Sequence, residues 1–214
     1  MQHNPNSRLE AFCDGVFAIA ITLLILEIKI PHVSEIHSSN DLWRALAHEW
    51  PSWFAFILGF GTILIGWVNH SAMMGFVDKT SQPFMYANGF LLFTIVVWPF
   101  ATWLMAEYLA TDYAQPAIMF YCIFGLLSSI AWNLLAESMA KPFRILKDEI
   151  TDDEFKDMQK KMRMGFVLYS GIIVIAVWFA YIALALLTAM WLMWLLLGIM
   201  YHKKTNAKSK LANE

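Results

Sequence analysis

Apolar residues run along this chain in blocks about twenty residues long, set apart by short polar segments. Six blocks read as helical spans, at about 11–30, 53–70, 85–105, 117–136, 164–186 and 187–201. A bilayer core of ~30 Å takes ~20 helical residues to cross. The last two blocks form one run with no charge between Arg163 and His202. As one helix that run would measure ~57 Å at ~1.5 Å per residue, too long for a single crossing. The pattern therefore predicts a tight hairpin turning around 184–189, although no Gly or Pro marks it. The connections are a loop at 31–51 with an interfacial amphipathic piece near 41–50, short turns at 79–83 and 107–116, and a long charged segment at 141–163. That charged segment is expected to be helical and outside the membrane.

Composition agrees with the blocks. Of 214 residues, 59% are hydrophobic and 15% charged, against about a quarter charged in a soluble domain. This excludes a disordered or nucleic-acid-binding chain and argues strongly against a soluble enzyme. The expected fold is an all-α polytopic membrane protein: a six-helix transmembrane domain over 1–202 and a basic tail over 203–214, with membrane lipid as its solvent. The polar start, Met1 to Ser7, followed by charge at the head of the first block, predicts a retained anchor rather than a cleaved leader. Cys13 and Cys122 both lie in apolar runs and read as small buried hydrophobes.

The net charge of −2 conceals a strong asymmetry. With the N-terminus inside, the inner side receives Arg8, Lys79, Lys141, Arg144, Lys147, Lys156, Lys160, Lys161, Arg163, Lys203, Lys204, Lys208 and Lys210, leaving only Lys29 and Arg44 of the fifteen outside. An even number of spans then puts both termini in the cytoplasm. The outer side carries Glu27, Glu35, Asp41, Glu49, Glu107 and Asp112, a negative mouth that concentrates cations.

The first span is unusual. Ser7 and Glu10 fit a capping box that would start the helix at Arg8. Beyond it, Arg8, Gly15 and Thr22 form one row at heptad spacing, and Phe12, Ile19 and Leu26 form another, with Leu23 alongside. A 3.5-residue period is the geometry of a left-handed bundle. Such a helix could be buried among its neighbours, with Thr22 bonded back to a carbonyl. Alternatively, copies of it could surround an axis, with Ile19, Thr22, Leu23 and Leu26 lining a narrow pore. Periodicity alone does not choose.

The segment from Arg8 to Ile28, with Arg8, Phe12 and Asp14 in an R-x-x-x-F-S-D pattern and Cys13 in the Ser position, resembles the first helix of the transmembrane protein 175 family. Trp67, Asn69 and His70 resemble that family's second-span stretch. The resemblance implies a potassium-permeable cation channel, in its bacterial form a homotetramer in the inner membrane, with the first helices around the pore. It places the narrowest point at Ile19, further layers at Leu23 and Leu26, and a contribution to potassium preference at Thr22. No cofactor is implied; K+ is the permeant ion.

Arg8, Asp14, Asn69, His70, Asn88, Asn133 and Glu137 fall at one depth toward the inner ends of the first four spans. Charges inside membranes need partners, so Arg8, Asp14 and His70, with Trp67 and Asn69, are expected to form a network tying the first span to the second or to a neighbouring copy. Pro99 is expected to kink the third span. His32, His37 and His48 lack the spacing of a metal-ligand set. The rival classes are a secondary transporter or proton-leak pathway, and a membrane-embedded enzyme. A transporter would show repeats and a midplane carboxylate; the midplane positions here are almost free of charge. An enzyme would need a reachable polar constellation, and only Arg8, Asp14 and His70 offer one.

Overall fold

A computed structural model describes residues 6–140 and 145–212. Lys141 and Arg144, counted above with the inner charges, and the last two residues of the tail lie outside the described residues. Within them, regular structure is helical apart from an isolated bridge between Val77 and Leu146. The long elements are α1 (Ser7–Leu23, prolonged by a 3-10 turn Leu24–Glu27), α2 (Ser39–His48), α3 (Trp50–Met74), α4 (Gln82–Tyr108), α5 (Ala114–Ser138), α6 (Asp152–Ala176) and α7 (Ala180–Ala212).

Among the described residues, five helices are long and apolar enough to cross a bilayer: α1 with its added turn, α3, α4, α5 and the Ala180–Gly198 part of α7. α6 differs because its first half carries the charges of Asp152 to Arg163, leaving 164–176 as its apolar end. The charged segment and the fifth span are thus one continuous helix rather than two pieces. It starts on a complete capping box. The Thr151 hydroxyl accepts from the Glu154 backbone N–H, and the Glu154 carboxylate accepts from the Thr151 N–H.

The hairpin between the last two spans turns at 177–179, earlier than the expected 184–189. The backbone leaves the helix there without Gly or Pro, and a side chain of α5 takes up one of its carbonyls. The Gln115 side chain donates to the Val177 carbonyl, and the Tyr181 hydroxyl donates to the Leu109 carbonyl at 3.1 Å. Trp178, Phe179 and Tyr181 are exposed around the turn, a placement aromatic residues favour at a membrane interface.

The first helix also starts differently from the expected capping box. Asn6 occupies the N-cap position with no side-chain cap, and α1 begins at Ser7. The Asn6 amide instead donates to the carbonyls of Val77 and Asp78, both at 3.2 Å. α4 runs through Pro99 without a break.

α4 packs between α3 and α5, α5 packs on α6, and α7 covers α6, α5 and α3; α1 lies against α3 and α4. The main apolar core contains Phe17, Leu24, Ile95, Trp98, Ile118 and Leu187. A second cluster closes the end that carries the N-terminus of α1, with Met73, Phe84, Leu91, Leu135, Met139 and Phe155. Two glycines allow close approach. A Cβ at Gly61 would sit 2.2 Å from the Trp191 ring, and one at Gly125 would sit 2.1 Å from Tyr169.

Candidate functional site

The perimeter of α1 divides cleanly. Cys13, Phe17, Ala20 and Leu24 are buried against the rest of the chain. At ~100° per residue they centre ~130° around the helix from the row of Phe12, Ile19 and Leu26. That row is open: Ile19 is 62% exposed, Leu26 73% and Leu23 42%. A Cβ added at Gly15 would meet nothing within 4 Å. The stripe singled out from the heptad spacing therefore lies within the wide part of α1 that its own chain leaves uncovered, which also takes in Ala11, Asp14, Ala18 and Ile25. Of its members, Thr22 donates its hydroxyl proton to the Ile19 carbonyl at 2.9 Å. The Thr22 oxygen keeps its lone pairs for whatever faces the stripe.

Between the buried and open faces, α1 is held by polar contacts at one depth. The Trp67 indole N–H on α3 donates to the Asp14 carboxylate at 2.8 Å. One step further into the protein, the Asn88 amide on α4 donates to the Cys13 sulfur at 3.2 Å, and its carbonyl oxygen lies 2.8 Å from His70 Nε2. With the amide N–H committed to Cys13, the network assigns the His70 proton to Nε2. The His70 ring is also packed against Phe17 and edge-on to Trp132, with centroids 5.5 Å and 6.4 Å away. His70 and Asn88 are each almost fully buried, so a complete set of partners matters: an unpaired buried amide costs about 1–3 kcal/mol.

Of the residues expected in an inner network, the structure brings together Asp14 with Trp67, and His70 with α4. It does not bring in the other two. Arg8 is exposed, with no hydrogen bond or ion pair among the described residues. Asn69 is half-buried and faces a different cavity, on the far side of α3. Cys13 and Asn88 are the members that sequence reasoning undervalued. Asn88 was visible as a polar residue at the right depth, and Cys13 as the residue standing in the motif's Ser position; reading Cys13 as a plain hydrophobe missed its acceptor role.

Below this joint is a polar crevice of about 310 Å³ lined by Glu10, Asp14, His70, Ser71, Gly75 and Lys147, among others. The foot of α1 is fastened beside it. Asn6 holds the loop after α3, and that loop exchanges backbone bonds with the segment before α6: Asp78 N–H to Ile145 carbonyl at 2.8 Å and Lys147 N–H to Phe76 carbonyl at 3.0 Å. At the opposite end, Lys29 pairs with Glu107 in the last turn of α4. The carboxylate holds the Lys29 ammonium above its ordinary range. An exposed pair of this kind contributes about 0–1 kcal/mol. Among the described residues, no cluster of three or more His, Cys, Asp or Glu side chains is placed to hold a metal ion.

Comparison with known proteins agrees with this geometry. Residues 8–99 match the family model described as endosomal/lysosomal potassium channel TMEM175. A potassium channel of Chamaesiphon minutus is 40% identical over 168 residues, spanning 78% of this chain and 82% of its own. A potassium channel of a Chryseobacterium species is 31% identical over 193 residues, 88% of this chain and 92% of its own. A chicken endosomal/lysosomal proton channel of the same kind is 32% identical over 129 residues, only 26% of its length. The crystal structure of a lysosomal potassium-selective channel TMEM175 homolog from Chamaesiphon minutus superposes with a TM-score of 0.82 at 33% identity, covering 92% of this chain and 99% of that one.

Proposed function

The chain belongs to the transmembrane protein 175 family, and from that premise we propose how it conducts ions. It is a potassium channel, a multi-pass membrane protein and not an enzyme, and it passes ions down their electrochemical gradient. In our reading four copies assemble with α1 nearest the axis. Ile19 forms the constriction, Leu23 and Leu26 form further apolar layers, and Thr22 presents a hydroxyl oxygen to the passing ion. The observation that carries this reading is the divided perimeter of α1. The stripe the family resemblance assigns to the pore lies in the open part of α1, at 62% exposure for Ile19 and 73% for Leu26, and is free to face neighbouring copies.

The chemistry follows from what a helix can offer. Its carbonyls are consumed by its own hydrogen bonds, so they do not replace an ion's hydration shell. A cation passing rings of Ile and Leu keeps most of its water, and a narrow apolar ring closes by expelling water. Potassium is therefore preferred only modestly over sodium. The contacts of Asp14 with Trp67, and of Cys13 with Asn88 and His70, set the tilt of α1 against the scaffold and so set the width at Ile19. Six crossings, the fifth using the apolar end of α6, place both termini in the cytoplasm of a bacterial cell with the inner membrane around the tetramer. Proton permeability is the second reading, favoured by the proton-channel name of the chicken relative.

The test is recording from purified protein in planar bilayers with a potassium gradient as the sole driving force. Discrete unitary currents reversing near the potassium potential support the channel. Currents that follow the proton potential favour the second reading, and flux without resolvable unitary events would indicate a carrier. Mass measurement in detergent checks the four-copy assembly.

A further inference from the structure

Past the outer end of α1 lies a basin of about 500 Å³. Lys29 and His32 line it from the segment after α1, Glu35 from the short turn Val33–Glu35, and His48 and Glu49 from the junction of α2 and α3. Ile30, Pro31 and Ala45 supply the apolar part of the lining. Lys29 comes three residues after Leu26, so the basin adjoins the outer end of the α1 stripe. His32, Glu35 and His48 are exposed.

The charges around it do not cancel. Glu35 and Glu49 line the basin, and Glu107 of α4 joins it through the ion pair with Lys29. Glu49 accepts from the Ser52 hydroxyl at 2.9 Å and adds to the field that favours the Lys29 ammonium. On the polar face of α2 that carries His48, Asp41 and Arg44 offset each other. Three carboxylates, Glu35, Glu49 and Glu107, thus meet the one ammonium of Lys29, a charge of about −2 per subunit while the imidazoles are neutral. Protonating His32 and His48 adds two positive charges and brings the basin to about zero.

We propose that this basin is a proton-operated cation collector: with His32 and His48 neutral it draws cations to the outer mouth, and with both protonated it does not. A cleft lined by one sign of charge raises the local concentration of the opposite ion. Imidazole is the side chain whose charge changes between about pH 5 and 8. The sign follows from the charges. As the outer solution is acidified through that range, cations leave the basin and potassium current falls. Salt weakens the effect, because the screening length shrinks from ~30 Å at ~0.01 M to ~3 Å at ~1 M. The groups involved all lie outside the membrane and apart from the joint of Asp14, Trp67 and His70. The effect on current rests on the channel reading; the charge of the basin does not.

The experiment puts Ala45→Cys into the basin of the whole channel in nanodiscs. Its modification rates by a cationic and an anionic methanethiosulfonate, the trimethylammonium-ethyl and sulfonatoethyl reagents, are then compared. The native Cys13 and Cys122 are buried. The ratio of the two rates reads the local potential, because the thiolate fraction cancels. In ~10 mM salt the cationic preference is expected to fall about tenfold between about pH 8 and pH 5.5. It is expected to stay level when His32→Gln and His48→Gln are added. Unitary potassium currents in the same salt are expected to fall over that interval in the wild type and not in the His32→Gln/His48→Gln protein. A ratio or a current that ignores pH, or a response equally large in the double variant or at ~1 M salt, overturns the proposal. A protein that carries no potassium current overturns the channel reading instead, and the ratio still decides the charge of the basin.

Discussion

The indole N–H of Trp67 on α3 donates to the Asp14 carboxylate on α1 across 2.8 Å. It joins α3 to the helix whose far side carries Ile19, and both residues lie in the stretches that resemble the family. A double-mutant cycle with Asp14→Ala and Trp67→Phe is expected to show coupling of about 1–2 kcal/mol in thermal unfolding of the solubilised channel. The lower half of that range is favoured because the Asp14 side chain is exposed within its own subunit. Arg8 has no such contact among the described residues, so coupling in a cycle between Arg8 and Asp14 would point to a contact with a neighbouring copy.

The Cys13 sulfur is a weak acceptor for the Asn88 amide. Cys13→Ala leaves that buried amide unpaired and is expected to destabilise the fold by about 1–3 kcal/mol. Cys13→Ser offers a better acceptor of similar size and is expected to retain wild-type stability or exceed it. Equal unfolding temperatures for Cys13→Ala and the wild type would mean that the contact contributes nothing.

Much of this arrangement is legible in the amino-acid order, and the parts that are not share a cause. The stripe of Ile19 and Leu26 could be read because a seven-residue repeat is local and periodic. The turn at 177–179 could not be placed because its Val177 carbonyl is satisfied by Gln115, 62 positions away, and Tyr181 anchors the start of α7 on the Leu109 carbonyl. The exposed trio Trp178, Phe179 and Tyr181 was the available sign, since aromatic clusters mark interfaces. The start of α1 was misread for the same reason. Ser7 and Glu10 look like a cap, but Asn6 answers to carbonyls 71 and 72 residues on. Local patterns located the elements; contacts distant in sequence decided where they begin and end.

Asn6 fastens the foot of α1 to the loop after α3. Asn6→Ala removes two donated bonds and is expected to cost about 1–2 kcal/mol. Amide hydrogen exchange at residues 76–78 and 145–147 should accelerate, because the loop, the bridge at Val77 and Leu146, and Asn6 form one hydrogen-bonded unit. Acceleration confined to the first turn of α1 would show that the unit is not coupled.

Two glycine substitutions separate the scaffold from the open face. Gly61→Ala drives a methyl into the Trp191 ring, and overpacking of this kind costs about 1–3 kcal/mol. Gly15→Ala meets nothing in its own subunit and is expected to leave subunit stability unchanged. A change in assembly or conductance with Gly15→Ala would then report directly on neighbouring copies around the axis, and its destabilising the isolated subunit would contradict the placement of that face.

The central claim is that Ile19 is the constriction, and bi-ionic recording of potassium against sodium in planar bilayers with wild-type and Ile19→Asn protein tests it most directly. An amide at the ring lets water and hydrated sodium remain, so Ile19→Asn is expected to raise the leak current and move the reversal potential toward zero. Currents and reversal potential identical to wild type would contradict the account.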